Sequence, residues 1–582
     1  MYDSCPYIPV SSSPDDCRRG WDEIANALRS CIDGSRRIVC VECYPGVFVH
    51  DVSDRLSALL KPLRVILADD LFLASTELNH RVAPMLTDDP VFGVMNSVEV
   101  ESYFDPEKLR AARQSIEDVT AGLVLVIGSG AVTVAPHYDL LVYADLARWE
   151  IQKRQRRGEI GNLGADNKSD SPAQKYKRGF FLDWRAADRV KEQLLPLIDF
   201  VLDTNAPDDP KLISGEAMRS GLQIATRRPF RVVPFFDPGP WGGHWMERTF
   251  GLPNDVPNYA WCFDCVPEEN SLLLGFGGVR VEIPSINLVL AHPRELLGDY
   301  IYKRFGAEFP IRFDLLDTVG GGNLSLQVHP LTKYVRERFG LAYTQDESYY
   351  LLDAEADACV YLGMKEGIDP RSMLDDLKAA QNDAKDFDAE LYVNKWPACK
   401  HDHFLIPAGT VHCSGEGSMV LEISATPYIF TFKLWDWGRM GLDGRPRPIH
   451  LQRGAENLQW DRTTRWVKDS LINRVEEIAI GNGWREERTG LHELQFIETR
   501  RHWFTSEVPH QTNGTVNVLN LVEGDEVIVE SPGSDFGPFV VHYAETFIVP
   551  AQVDSYTIRP HGNAKSKQWA TVKAFVRQQD EG

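Results

Sequence analysis

The 582-residue sequence contains no run of about 18 apolar residues, the length a membrane-spanning helix needs. Its opening, "MYDSCPYIPVSSSPDDCRRG", has no basic stretch followed by an apolar core, so a secretory leader is not expected and the expected setting is the cytoplasm. The ten cysteines form no compact framework, which suits reduced thiols. Two CxxC pairs, Cys40/Cys43 and Cys262/Cys265, sit in strand-like runs where i and i+3 face opposite sides; they read as buried structural cysteines rather than a zinc site. Positive charge is scarce. With 62 Lys and Arg against 84 Asp and Glu, the formal charge of −22 opposes non-specific attraction to nucleic acid or anionic lipid, and neither is an expected partner. A working phosphate loop is also missing. Val47, Phe48, Val49, His50 and Asp51 follow Gly46 where Gly-x4-Gly-Lys-Ser/Thr would place a lysine and a hydroxyl.

The length exceeds what one core usually organises, and the texture changes along the chain. Up to about residue 205, β-branched runs such as "RRIVCVECYPG" and "LVLVIGSG" alternate with helical spacings such as "DPEKLRAARQSI", which implies a parallel α/β sheet. Within it, "GNLGADNKSDSPAQ" reads as a mobile loop, "GSG" (128–130) as a turn that could hold an anion, and "KRQRRG" as a solvated helix face. Residues 206–230 read as a connector with one short helix. Beyond them, short β runs broken by Gly, Pro and Asn imply antiparallel barrels, interrupted by the helical "DPRSMLDDLKAAQNDAKDF". The expected organisation is an α/β P-loop-like domain (1–205), a linker (206–230), a barrel with a helical insertion (231–455) and a second barrel (456–582).

In "NLSLQVHP", Gln327 and His329 are two residues apart in a strand and so share a face. Glu347 heads the next strand, and "IPAGTVHCS" supplies His412 after a turn. These N and O donors suit zinc or another first-row divalent metal, and the lack of a thiolate points to a site with an open position. "HDH" (401–403) reads instead as a solvated strand entry.

"PAGTVH" and "QVH" followed by a glutamate resemble the two cupin motifs. Together with "DPGPWGGHWMERTFG", "FPIRFDLLD", "MVLEIS", "LWDWGR" and "RPRPIHL", they make residues 231–582 similar to the type I mannose-6-phosphate isomerase family. The resemblance implies a two-cupin fold, one metal held by Gln327, His329, Glu347 and His412, and interconversion of mannose 6-phosphate and fructose 6-phosphate. It places a phosphate-contacting serine at Ser325, an active-site glutamate at Glu422, and an Asp-Trp-x-Arg signature at Asp436, Trp437 and Arg439. Where the family carries cations the chain has Asp314 and Gln345, and Lys433 stands for an arginine. The expected roles are therefore proton transfer by Glu422 or Asp436, electrostatic stabilisation by Lys433, and binding of a sugar or sugar phosphate by Ser325 and Arg439. The alternative is a regulatory protein that binds a sugar phosphate or nucleotide and keeps the metal without turnover. The second barrel's counterpart of the histidine motif, "IVPAQVDS", lacks the ligand, so a packing role is expected for it. Residues 36–205 resemble uridine-kinase-like domains, in degenerate form.

Overall fold

The computed structural model describes residues 1–10, 16–32, 37–382, 386–442, 444, 447, 449–490, 492–562 and 567–578. The chain divides into two units, one of residues 7–225 with 268–292, the other of 1–6, 226–267 and 293–582. No helix among the described residues is long and apolar enough to cross a membrane.

The first unit is built on a seven-stranded sheet. Five parallel strands lie in the order Arg64–Leu67, Leu123–Gly128, Arg37–Cys43, Leu140–Asp145, Phe200–Asp203. The central ones are buried on both faces, which is why they read as unbroken apolar runs. The helix Pro106–Glu117 starts where its sequence says it should: Pro106 occupies the first turn, and the Asp105 carboxylate accepts from the Glu107 and Lys108 amides at 2.8 and 3.2 Å. The connector expectation fails. Strand Lys211–Ser214 lies antiparallel between Phe200–Asp203 and the edge strand Cys17–Arg19, and Gly215–Thr226 is a full helix, while the strands Ser271–Phe276 and Val279–Pro284 return from the later chain to this unit.

Three local expectations are also corrected. The loop at 161–171 is packed rather than loose, since Asn162 Nδ2 donates to Asp183 Oδ2 (2.9 Å) and to the Lys175 carbonyl oxygen (3.0 Å) in the interior. The "GSG" amides hold no free place for an anion: Gly130 N and Val132 N donate to the Glu42 carboxylate at 2.7 and 3.0 Å, and Ser129 N donates to Asp69 Oδ1 at 2.9 Å. In "KRQRRG", Lys153, Arg156 and Arg157 are exposed as read, but Arg154 and Gln155 are buried. The Arg154 guanidinium donates to the carbonyl oxygens of Gly46 (3.0 Å) and Thr204 (2.6 Å) and lies over the Phe48 ring. The loop after the first parallel strand thus turns carbonyls toward a cation, where a phosphate would need amides. The CxxC cysteines are buried and in no disulfide.

Lys191 and Asp145 form a buried ion pair in this unit, with the ammonium 3.0 Å from both carboxylate oxygens. Asn287, from the returning segment, donates to Asp145 Oδ2 at 2.9 Å. Lys191→Met strands the carboxylate among apolar groups and is expected to destabilise the unit by about 3–5 kcal/mol, measured as a lowered midpoint of its unfolding transition in urea.

The other unit carries two pairs of antiparallel sheets. In the first pair, a six-stranded sheet contains Asp346–Ala354, Ser418–Ala425 and Arg312–Asp317 as neighbours, and a five-stranded sheet contains His412–Ser414, Leu326–Val328 and Phe432–Trp435. The helical interruption is Pro370–Gln381, capped by Asp369. A six-stranded and a four-stranded sheet form the second barrel around Phe504, Leu519, Val529, Phe547 and Trp569. The "HDH" segment is no solvated entry: His403 is buried, its pKa pushed down to about 3 by that burial, and His401 Nε2 meets Glu523 Oε2 of the second barrel at 3.1 Å.

Candidate metal centre and active site

Gln327 and His412 are register partners on adjacent strands, so the pleat turns both side chains to one face. The "PAG" turn sets the approach of His412. Gly409 has φ +90°, and a Cβ there would stand 2.7 Å from Gln459 and 2.9 Å from Leu331, so glycine is required. Its amide donates to the His329 carbonyl oxygen at 2.8 Å, tying the two histidine segments together.

Each imidazole is fixed by a backbone carbonyl. His329 Nδ1 donates to Phe430 O (2.8 Å) and His412 Nδ1 donates to Thr410 O (2.9 Å), which leaves both Nε2 atoms pointing inward. Between them lies the Glu347 carboxylate, with Oε2 3.0 Å from His329 Nε2 and Oε1 2.8 Å from His412 Nε2. The ligand atoms of these three buried residues all lie within 4.8 Å of one another. Among the described residues His329 Nε2 and Glu347 Oε1 make no hydrogen bond, so acceptors converge on one buried point, as the donor set of a divalent cation does. Gln327 Nε2 donates to His412 Nε2 at 3.2 Å; a half-turn of the amide would offer Oε1 to the same point. Gln345 steadies Glu347, donating from Nε2 to Oε2 at 2.9 Å. Burial works against charge on Glu347, yet His329 and His412 beside it hold its carboxyl well below the usual range.

Glu422 lines the same barrel. Its register partners are Asp314 on one side and Tyr349 on the other. Burial, then the charges of Glu347 and Asp314, hold the Glu422 carboxyl well above its ordinary pKa. Asp314 is pushed up to about 7, mainly by burial. The Tyr349 hydroxyl, with no hydrogen-bond partner, is a third polar group on this wall that sequence reading did not single out.

A second cluster surrounds Asp436. Its Oδ1 accepts from Ser325 Oγ (2.9 Å) and Arg439 Nη2 (2.9 Å), and its Oδ2 from Arg447 Nη1 (2.8 Å). Arg447 also donates to Ser325 Oγ at 3.1 Å. Lys433, opposite Gln327 in register, has its pKa lowered to about 8 by burial and then by Arg447. Ser325, Asp436 and Arg439 therefore meet one another, with Lys433 alongside. Arg447 was missed; its signal lay in "RPRPIHL", a motif that matched the family but suggested no role for either arginine. A carboxylate bonded to two guanidiniums and a hydroxyl is poorly placed to take a proton, so Asp436 reads as an anchor for Arg439 and Arg447.

The fold and this cluster define a class: a protein with paired antiparallel β-barrels, the first with a His–Glu–His group that could hold a metal. Comparison with known proteins points to the mannose-6-phosphate isomerase family. The chain is 29% identical over 222 residues to the mannose-6-phosphate isomerase of Streptococcus mutans, covering 38% of this chain and 64% of that protein. It is 24% identical over 240 residues to mannose-6-phosphate isomerase ManA of Bacillus subtilis, covering 40% of this chain and 69% of that protein. The crystal structure of the Bacillus subtilis mannose 6-phosphate isomerase aligns over 60% of this chain and 99% of that one, with 17% identity and a TM-score of 0.48. Residues 20–227 match a family described as a domain of unknown function (DUF8485).

Proposed function

We propose that the first barrel is a metal-dependent aldose–ketose isomerase site that interconverts mannose 6-phosphate and fructose 6-phosphate or a closely related sugar. The observation that carries this reading is the convergence of His329, His412 and Glu347 on one buried point. Zinc or another first-row divalent ion held there, with Gln327 as fourth donor, would supply Lewis-acid polarisation of sugar oxygens. The residues of the chain do the rest. Moving a carbonyl between C1 and C2 requires a proton to leave one carbon and return to its neighbour, and Glu422 is the carboxyl assigned to carry it. Its raised pKa makes it a stronger base than an ordinary glutamate once ionised. Lys433 contributes positive charge to the oxygen that becomes negative as the proton leaves. Ser325 and Arg447 receive the far end of the substrate, while Asp436 and Arg439 hold Arg447 in position. The N-terminal unit is a degenerate kinase-like domain used for binding or assembly, since Arg154 and Glu42 occupy the groups that would hold phosphates.

Asp314 favours a second reading, a binding protein without turnover, because it puts a carboxyl beside Glu422 where the related isomerases carry a cation. A coupled assay of the zinc-loaded full chain on mannose 6-phosphate, mannose and fructose separates the two. Turnover of the phosphorylated sugar, lost in His412→Ala, is the expected result. Zinc retained with no turnover on any of the three would establish the binding reading instead.

A further inference from the structure

The second barrel is not simply packed. Along Ile497–Phe504, alternate residues face inward: Phe504 belongs to the apolar core, and His502 and Arg500 follow on the same face. Their register partners across the sheet are Thr571 and Lys573 on Trp569–Val576, and Glu486 on Trp484–Gly490 stands opposite His502. His510 enters from the four-stranded sheet, paired with Tyr556, and its ring stands 4.4 Å from that of His502 and 4.9 Å from that of Tyr556. These ionisable groups thus border the apolar core directly, with Leu519 opposite Lys573, Leu521 opposite Thr571, and Tyr556 itself part of that core.

The hydrogen bonding inside is incomplete in a particular way. Both glutamates are committed: Arg500 donates to Glu486 Oε1 (2.9 Å) and Glu498 Oε1 (2.7 Å), and His502 Nε2 lies 3.3 Å from Glu486. The remaining groups are not. Among the described residues, both ring nitrogens of His510, Nδ1 of His502 and Oγ1 of Thr571 are buried without a partner. The ammonium of Lys573, in a residue only 6% exposed, lies 5.6 Å from the Phe575 ring centroid and feels the charges of Glu486 and Glu498, but makes no hydrogen bond or ion pair among the described residues. Burial lowers its pKa to about 8, a value at which it still carries its charge near neutrality. Tyr556 accepts from Asn517 Nδ2 (3.1 Å), which leaves its own hydroxyl hydrogen to donate. Unmatched buried polar groups cost about 1–3 kcal/mol each, so several on neighbouring strands of one barrel imply an occupant.

We propose that this polar cluster of the second barrel is a binding site for a small oxyanion, a phosphate ester or a hydroxylated carboxylate, held by Lys573, His510, Thr571 and Tyr556. Lys573 supplies the charge, the other three supply donors, and His502 Nδ1 accepts from a ligand hydroxyl.

Isothermal titration of the full chain with inorganic phosphate and, separately, gluconate tests this, with mannose as the uncharged control. The wild type is expected to show a binding event with at least one oxyanion that Lys573→Met weakens by about 10–100-fold and Arg447→Met leaves in place. Lys573→Arg, which keeps the charge, should retain binding and guards against misfolding as the cause. The inference is overturned if neither oxyanion binds, if mannose alone binds, or if every event survives in Lys573→Met. Phosphate and gluconate arms distinguish an ester from a carboxylate as the natural ligand.

Discussion

Glu347→Gln is expected to weaken zinc binding by at least about two orders of magnitude, because it removes the one anionic donor of a small ligand set. Competition against a chromophoric chelator measures this directly. The physical ground is the geometry of the centre: the two Nε2 atoms and the carboxylate face one another in a buried group that could hold a metal ion. The same argument predicts a stability effect. Saturating the wild type at about a hundredfold excess over the dissociation constant should add about 2.7 kcal/mol, and stripping it with a chelator should lower the melting temperature of the barrel unit. In Glu347→Gln the melting temperature should respond to neither zinc nor chelator. A variant that still melts higher with zinc would place the metal elsewhere.

Glu422→Gln tests the chemistry with the metal in place. Turnover of the phosphorylated sugar should fall by about 10²–10⁴-fold, the range expected for loss of a positioned proton carrier, while zinc stoichiometry and KM stay close to the wild type. Asp436→Asn should behave differently. Having its effect through Arg439 and Arg447, it should raise KM more than it lowers kcat. If Glu422→Gln kept most of its turnover and Asp436→Asn lost it, the two assignments would have to be exchanged.

Local periodicity carried the metal centre into view. Gln327 and His329 share a face by strand alternation, and the Pro-Ala-Gly turn announces His412, so each donor could be located from its own few residues. The neighbours that matter came from pairings no short window contains. Asp314 lies opposite Glu422 across a sheet, and Arg447 reaches Ser325 from more than a hundred residues away in sequence. For the same reason His403 and Arg154 were read as solvated, since burial of a polar side chain is decided by what folds over it. The parallel strands and the capped helix Pro106–Glu117 were legible because their signals are local; the strand and helix at 211–226 were hidden by Pro and Asp residues that belong only to the turn before them. The polar interior of the second barrel had no motif at all, its members being spread over separate strands.

The return of residues 268–292 to the first unit sets a condition on biosynthesis. Asn287 completes the shell of Asp145, and the strands of that segment pair with one another and with Tyr7–Pro9. On the ribosome, the N-terminal unit therefore has to wait, unfinished, until the start of the barrel unit has emerged behind it. Neither unit can be released whole by a single cut in the chain, and a gene fragment ending near residue 230 would encode all strands of the seven-stranded sheet yet leave Tyr7–Pro9 without its partner strands and Asp145 without the Asn287 amide.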